Sequence, residues 1–168
     1  MNIFNKSSVS GLQEANGVTV EPVITVSSEI KATVSDRVPF HTQNIEYGTD
    51  GGTLIAFIAR ANAEDISEAN KKGFLLMFDK NIKPGTYDVT DSGFPFREAY
   101  YFEMGTIPGF TTSFHYTPQS GTFSVETIEN SERKLHYKIG FNFKGKDNRN
   151  EELKIEGAAT LIVFTRPM

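Results

Sequence analysis

Few side chains in this sequence have the spacing that catalysis or metal binding needs. The three histidines, His41, His115 and His136, lie far apart and form no H-x-H or H-x-x-x-H pattern that would aim two rings at one metal. His115 sits between Phe114 and Tyr116, and His136 falls on a polar parity, so both read as exposed strand histidines. Ser113 is close to His115, but there is no G-x-S-x-G elbow and no third group to orient the ring. Asp88 and Asp91 have the types for acid–base work, yet aspartates at a strand end usually make turns. The run from Asp147 to Glu152 gathers oxygen ligands that Ca²⁺ accepts. Its order is not that of an EF-hand and Arg149 stands inside it, so a solvated hairpin tip is the simpler reading. Gly51-Gly52 after Asp50 is a turn rather than a phosphate loop, because no helix follows to supply free N–H groups. The chain has no cysteine, which removes thiolate nucleophiles and Cys-based metal sites together. The expectation is no catalytic residue, no metal and no cofactor, hence not an enzyme.

Aromatic residues give the stronger signal. Eight of them fall within the 23 residues from Phe94 to Tyr116. In one reading, loops 91–98 and 105–110 present Phe94, Phe96, Tyr100 and Phe110 to a sugar face or a partner's pocket, helped by Gly93, Pro95, Pro108 and Gly109. In the other, the rings cap a core, which is ordinary in a chain with 14 Phe, 6 Tyr and no Trp. The second is the simpler account. The first names the expected partner surface, with a protein or a glycan as ligand and self-association as a further option.

The elements that must position these residues are strands. Leu135, Tyr137, Ile139, Phe141 and Phe143 share one parity while His136, Lys138, Gly140, Asn142 and Lys144 share the other, the period of a half-buried strand. Residues 53–60 (TLIAFIAR) are apolar on both parities and read as a central strand. Further strands are expected at 18–26, 30–34, 73–79, 99–104, 111–116, 122–128 and 153–164, with a bulge at Gly157 and a turn at Pro84-Gly85. Asn62 to Lys72 predicts one short surface helix, from its Asn cap, early acids, late lysines and Gly73 stop. Residues 1–17 read as a mobile or extended arm ahead of one β domain spanning 18–168. The absence of β-α-β alternation makes this an all-β chain, an antiparallel sandwich or flattened barrel of about eight to ten strands with at most one short helix.

Composition narrows the function classes. A net charge of −4 with scattered charges leaves no basic stripe for nucleic acid. No run approaches the roughly 20 apolar residues of a membrane helix, so no membrane insertion is expected and the chain reads as soluble. No signal-peptide core or lipobox cysteine occurs, which makes the cytoplasm the default placement.

Three stretches together carry a resemblance: Ala32-Thr33-Val34-Ser35-Asp36-Arg37-Val38-Pro39-Phe40, the turn Ile82-Lys83-Pro84-Gly85-Thr86-Tyr87, and Tyr116 followed by Ser120-Gly121-Thr122. The chain resembles a group of uncharacterised small bacterial all-β proteins across 32–164. Many members of that group are envelope lipoproteins; this chain departs from them in lacking the lipobox cysteine. The resemblance implies a strand after the Ser-Gly-Thr signature and a closing strand pair. It implies no catalytic residue.

The leading functional expectation is a non-catalytic binding or interaction protein that uses an aromatic-bearing loop end or a sheet edge. The alternative is a carrier of a small apolar ligand inside a hollow barrel, and a hydrolytic enzyme comes third.

Overall fold

The computed structural model describes residues 13–15, 18–20, 23–64, 67–107 and 110–166. Among these, strands joined by turns and loops are the regular structure, with no helix. Among the described residues no helix is therefore long and apolar enough to cross a membrane. Most of the N-terminal arm lies outside the described residues. Its end pairs β1 (Gln13–Ala15) with β2 (Val18–Val20) in a separate two-stranded sheet.

The remaining eleven strands form one antiparallel sheet. In chain order these are β3 (Val23–Val26), β4 (Glu29–Val34), β5 (Phe40–Thr42), β6 (Ile45–Thr49), β7 (Leu54–Glu64), β8 (Ser67–Asp79), β9 (Gly85–Asp88), β10 (Phe96–Ile107), β11 (Phe110–Asn130), β12 (Lys134–Lys146) and β13 (Glu152–Arg166). The spatial order is β5-β4-β13-β12-β11-β10-β8-β7-β6, with β3 also on β13 and β9 also on β11. The two ends of this order, β5 and β6, are consecutive in the chain and separated only by Gln43 and Asn44. Thr42 Oγ1 donates to the Arg60 carbonyl of β7 at 2.7 Å, and the Arg60 amide donates to the Asn44 carbonyl at 3.0 Å. One kinked strand therefore faces β4 with its first half and β7 with its second, which curls the sheet into a nearly closed barrel and leaves little free edge.

The period-two pattern of β12 is realised: Tyr137, Ile139, Phe141 and Phe143 are buried while Lys138, Asn142 and Lys144 are exposed. β7 is apolar on both faces for the reason its sequence suggests. Ile55, Phe57 and Ala59 enter the main core, while Ala56, with Leu54 and Ile58, joins Leu75, Met77 and Tyr100 in a smaller cluster on the outer face. The interior is filled with rings in contact. Phe74 lies 5.1 Å from Phe141 and 5.2 Å from Tyr101, and Phe123 lies 5.0 Å from Phe96 and 5.3 Å from Phe143.

Three local expectations are corrected. The segment Asn62 to Lys72 is not a helix, because its described residues belong to the β7–β8 hairpin, where Asn62 pairs with Lys71 and Ala61 with Lys72. Long-range pairing outweighs end signals that would have stabilised a short helix only marginally. The runs 111–116 and 122–128 are one 21-residue strand, β11, bent at a bulge between Pro118 and Ser120. Gly157 is no bulge: it pairs in register with Phe141 and Ala32, and a Cβ there would strike the backbone of Lys31 and Ala32.

Burial separates the aromatic candidates. Phe96 is 6% exposed and Phe110 is 75% exposed. Phe96→Ser is accordingly expected to cost about 3 kcal/mol or more, the usual range for losing a buried ring, and Phe110→Ser less than about 0.5 kcal/mol. Paired urea melts check this; equal losses would mean that the face assigned to β10 is wrong.

Candidate functional site

The wall of the barrel opens where β10 and β11 part. Their ladder runs from Ile107↔Phe110 to Tyr101↔Tyr116 and stops there. Farther along, the same edge of β11 is taken by β9, from Thr122↔Asp88 to Val125↔Gly85. Residues 97–100 of β10 and 117–121 of β11 do not pair across the gap. Pro118 stands in the opening and has no N–H to offer a neighbouring strand. Bulges at Phe96/Glu98 on one side and Pro118/Ser120 on the other bend the two strands apart. Val89 holds the far side of the fork by donating its amide to the Gly121 carbonyl at 3.0 Å.

An open hollow of about 530 Å³ occupies the fork, a size that suits a small ligand or an inserted side chain. Phe94 and Phe96 line its inner end, and Arg97, Glu98, Tyr100 and His115 line its outer end. Phe94 is half-buried, 5.3 Å from Phe96 and 5.4 Å from Phe123, so its ring bridges core and hollow. Tyr100 stands on the outer face and stacks on His115 with ring centroids 4.3 Å apart and planes 11° from parallel. Burial, followed by the charge of Glu98, raises the Tyr100 phenol above its ordinary pKa.

Three of the four residues marked by sequence, Phe94, Phe96 and Tyr100, thus meet at one hollow. Phe110 does not join them. It pairs with Ile107 at the opposite end of β10, roughly 35 Å of strand away at about 3.3 Å per residue. The hollow's remaining chemistry, Arg97, Glu98, His115 and Pro118, was not marked as a site by sequence. The one local signal for it was a proline inside an otherwise strand-like run.

A second constellation was missed altogether. Arg37, in the turn after β4, donates to Glu103 of β10 at 3.1 Å and to Glu151 at 2.7 Å. Arg149 donates to Asp147 at 2.6 Å, to Glu151 at 3.3 Å and to the Tyr116 hydroxyl at 3.0 Å, with its guanidinium 3.6 Å from the centre of the Phe114 ring. Burial, then the charge of Glu103, pushes the Tyr116 phenol up to about 12. Burial and Glu103 also raise Tyr101, whose buried hydroxyl has no hydrogen-bond partner among the described residues. In this network each carboxylate meets a guanidinium, so it ties the turn after β4, β10 and the β12–β13 loop together at one end of the barrel.

The tip of the β12–β13 loop is exposed at Asn148 to Asn150, as expected of a solvated hairpin, but its first residue is not. Asp147 is buried, and its carboxylate accepts the amides of Arg149 and Glu151, both at 2.9 Å, besides the Arg149 guanidinium. Arg149, which argued against calcium, supplies the cation itself. Burial works against the charged carboxylate, but the Arg149 guanidinium and the two amides outweigh it and hold Asp147 below the usual carboxylate range. A depressed carboxylate contributes stability above its unfolded pKa of about 3.9 and loses it as pH falls through the folded value. Asp147→Ala is therefore expected to cost about 2 kcal/mol near pH 7, because it leaves the Arg149 and Glu151 amides and the Arg149 guanidinium without their shared carboxylate partner. The difference from the parent in urea melts should shrink below about pH 4, where the parent carboxylate takes up a proton. A difference that is constant down to pH 2 would contradict the assignment.

Asp88 accepts the amide and hydroxyl of Thr90 at 2.8 and 2.6 Å, as a turn aspartate does. Asp50 accepts the Gly52 amide at 2.7 Å in its turn. His41 lies 3.2 Å from Glu29, His115 stacks on Tyr100, and burial followed by Lys134 lowers the pKa of His136. Among the described residues no three His, Asp or Glu side chains converge on a common point.

The fold defines an all-β, barrel-like protein with a filled interior and a parted wall. Comparison with known protein families, curated proteins and solved structures finds no match.

Proposed function

We propose that this protein is a non-catalytic binding module and that the fork between β10 and β11 is its binding site. One observation carries the reading: a packed core stands beside an open hollow that combines ring faces, a guanidinium and a carboxylate. An apolar-ligand carrier needs an enclosed interior, whereas here the inward-facing rings touch one another. The fork instead takes a ligand from outside, with an apolar group against Phe94 and Phe96 and polar groups against Arg97, Glu98 and Tyr100. A glycan residue or a side chain inserted by a partner protein meets this description.

The test is array screening of the labelled protein against glycans and peptides, with Arg97→Gln and Tyr100→Ser run in parallel. A ligand retained by the parent and weakened about tenfold or more by either variant, at a stability change below about 1 kcal/mol, is the expected result. Ligands that bind the parent and both variants equally would place the site elsewhere.

A further inference from the structure

We infer that a second hollow, at the end of the β12–β13 pair, binds a phosphate-type dianion carried on an apolar body. The chain has six arginines. Arg37, Arg60 and Arg149 are each paired with a carboxylate. Arg97, Arg133 and Arg166 make no ion pair among the described residues, although acids outnumber bases 21 to 17. Arg97 lines the wall fork. Arg133 and Arg166 both line the second hollow, of about 440 Å³, together with Lys134, Phe164 and Thr165.

Both arginines sit at the end of the β12–β13 ladder, Arg133 in the turn that precedes β12 and Arg166 as the last residue of β13. Lys134 pairs with Phe164, and the Thr165 amide donates to the Arg133 carbonyl at 2.9 Å, which sets Arg133 at the end of the ladder. Arg166 follows Phe164 by two residues and shares its outer face. The Lys134 ammonium lies 5.4 Å from the centre of the Phe164 ring and 3.5 Å from Glu129. Glu129 therefore offsets one of the three cations, and Glu132 at the hairpin tip forms no ion pair with either arginine. Two guanidinium forks beside a half-buried ring match the oxygens of a phosphate and the apolar group it is attached to. A small phosphomonoester and a phosphomonoester lipid headgroup share this chemistry.

The experiment is a titration of the ¹⁵N-labelled full chain with inorganic phosphate and with phenyl phosphate at constant ionic strength. Saturable shifts confined to Arg133, Lys134 and Phe164 to Arg166 are expected, with phenyl phosphate the tighter ligand because its ring rests on Phe164. The double variant Arg133→Gln/Arg166→Gln should weaken phenyl phosphate about tenfold or more. Both side chains are exposed, and a thermal melt of the variant verifies that the fold is kept. Sedimentation with phosphatidylcholine vesicles that contain phosphatidic acid, lost in the double variant, assigns the lipid source. Saturable phenyl phosphate binding without sedimentation assigns the small ester. No saturable shift with either phosphate, or equal affinity in parent and double variant, overturns the site. The hollow lies on β12 and β13, so neither result bears on the fork.

Discussion

Phe141→Ala should destabilise the protein by about 3 to 5 kcal/mol, while Asn142→Ala, one residue along the same strand, should cost less than about 0.5 kcal/mol. Phe141 is 4% exposed, and its ring lies 5.1 Å from Phe74, 5.9 Å from Phe123 and 6.1 Å from Phe143. These neighbours come from β8, β11 and β12, so truncation opens a void that no single strand can collapse into. The expected cost joins the lost transfer energy of the ring to the cavity left behind. Asn142 points to solvent from the opposite face. Urea melts of the two variants at one temperature decide the matter, and similar losses would refute the register of β12.

The second large effect is expected from Gly121→Ala, at about 2 to 4 kcal/mol. Gly121 has φ 117°, a backbone region that residues with a Cβ rarely adopt. A Cβ there would also run into the Asn142 carbonyl and the Phe143 Cα across the ladder. Its carbonyl accepts the Val89 amide that anchors the far side of the fork. The variant should therefore lose stability and disturb the amide resonances of Val89 and of 117–121 together. A variant as stable as the parent would show that the bend in β11 is not fixed by this residue.

The fold class was legible because hydrophobic parity is local. The alternation in β12 and the two-sided apolar run in β7 need no knowledge of partners to be read. The β7–β8 hairpin was misread for a related reason. Asn62 and Lys71, which resemble helix end signals, are instead neighbours across a ladder, and only the pairing reveals it. Phe94, Phe96 and Tyr100 were legible as an aromatic cluster, but their division between core and outer face depends on a bulge at Phe96/Glu98 that shifts the parity. The fork itself was not legible, since it arises from the departure of β11 toward β9 rather than from any short motif. The Arg37, Glu103, Glu151 and Arg149 network was hidden because its members come from distant turns and strands, with Arg37 and Glu103 separated by 66 positions.

Amide chemical-shift changes in the full chain, followed as the ligand selected on the arrays is titrated in, locate the binding site directly. Saturable changes are expected to concentrate on Phe94 to Tyr100 and His115 to Pro118, on both sides of the parted wall, with the interior amides of Phe141 and Ile155 unmoved. Changes centred on interior positions of β12 and β13, with the fork residues silent, would contradict this placement and support a ligand held inside the barrel.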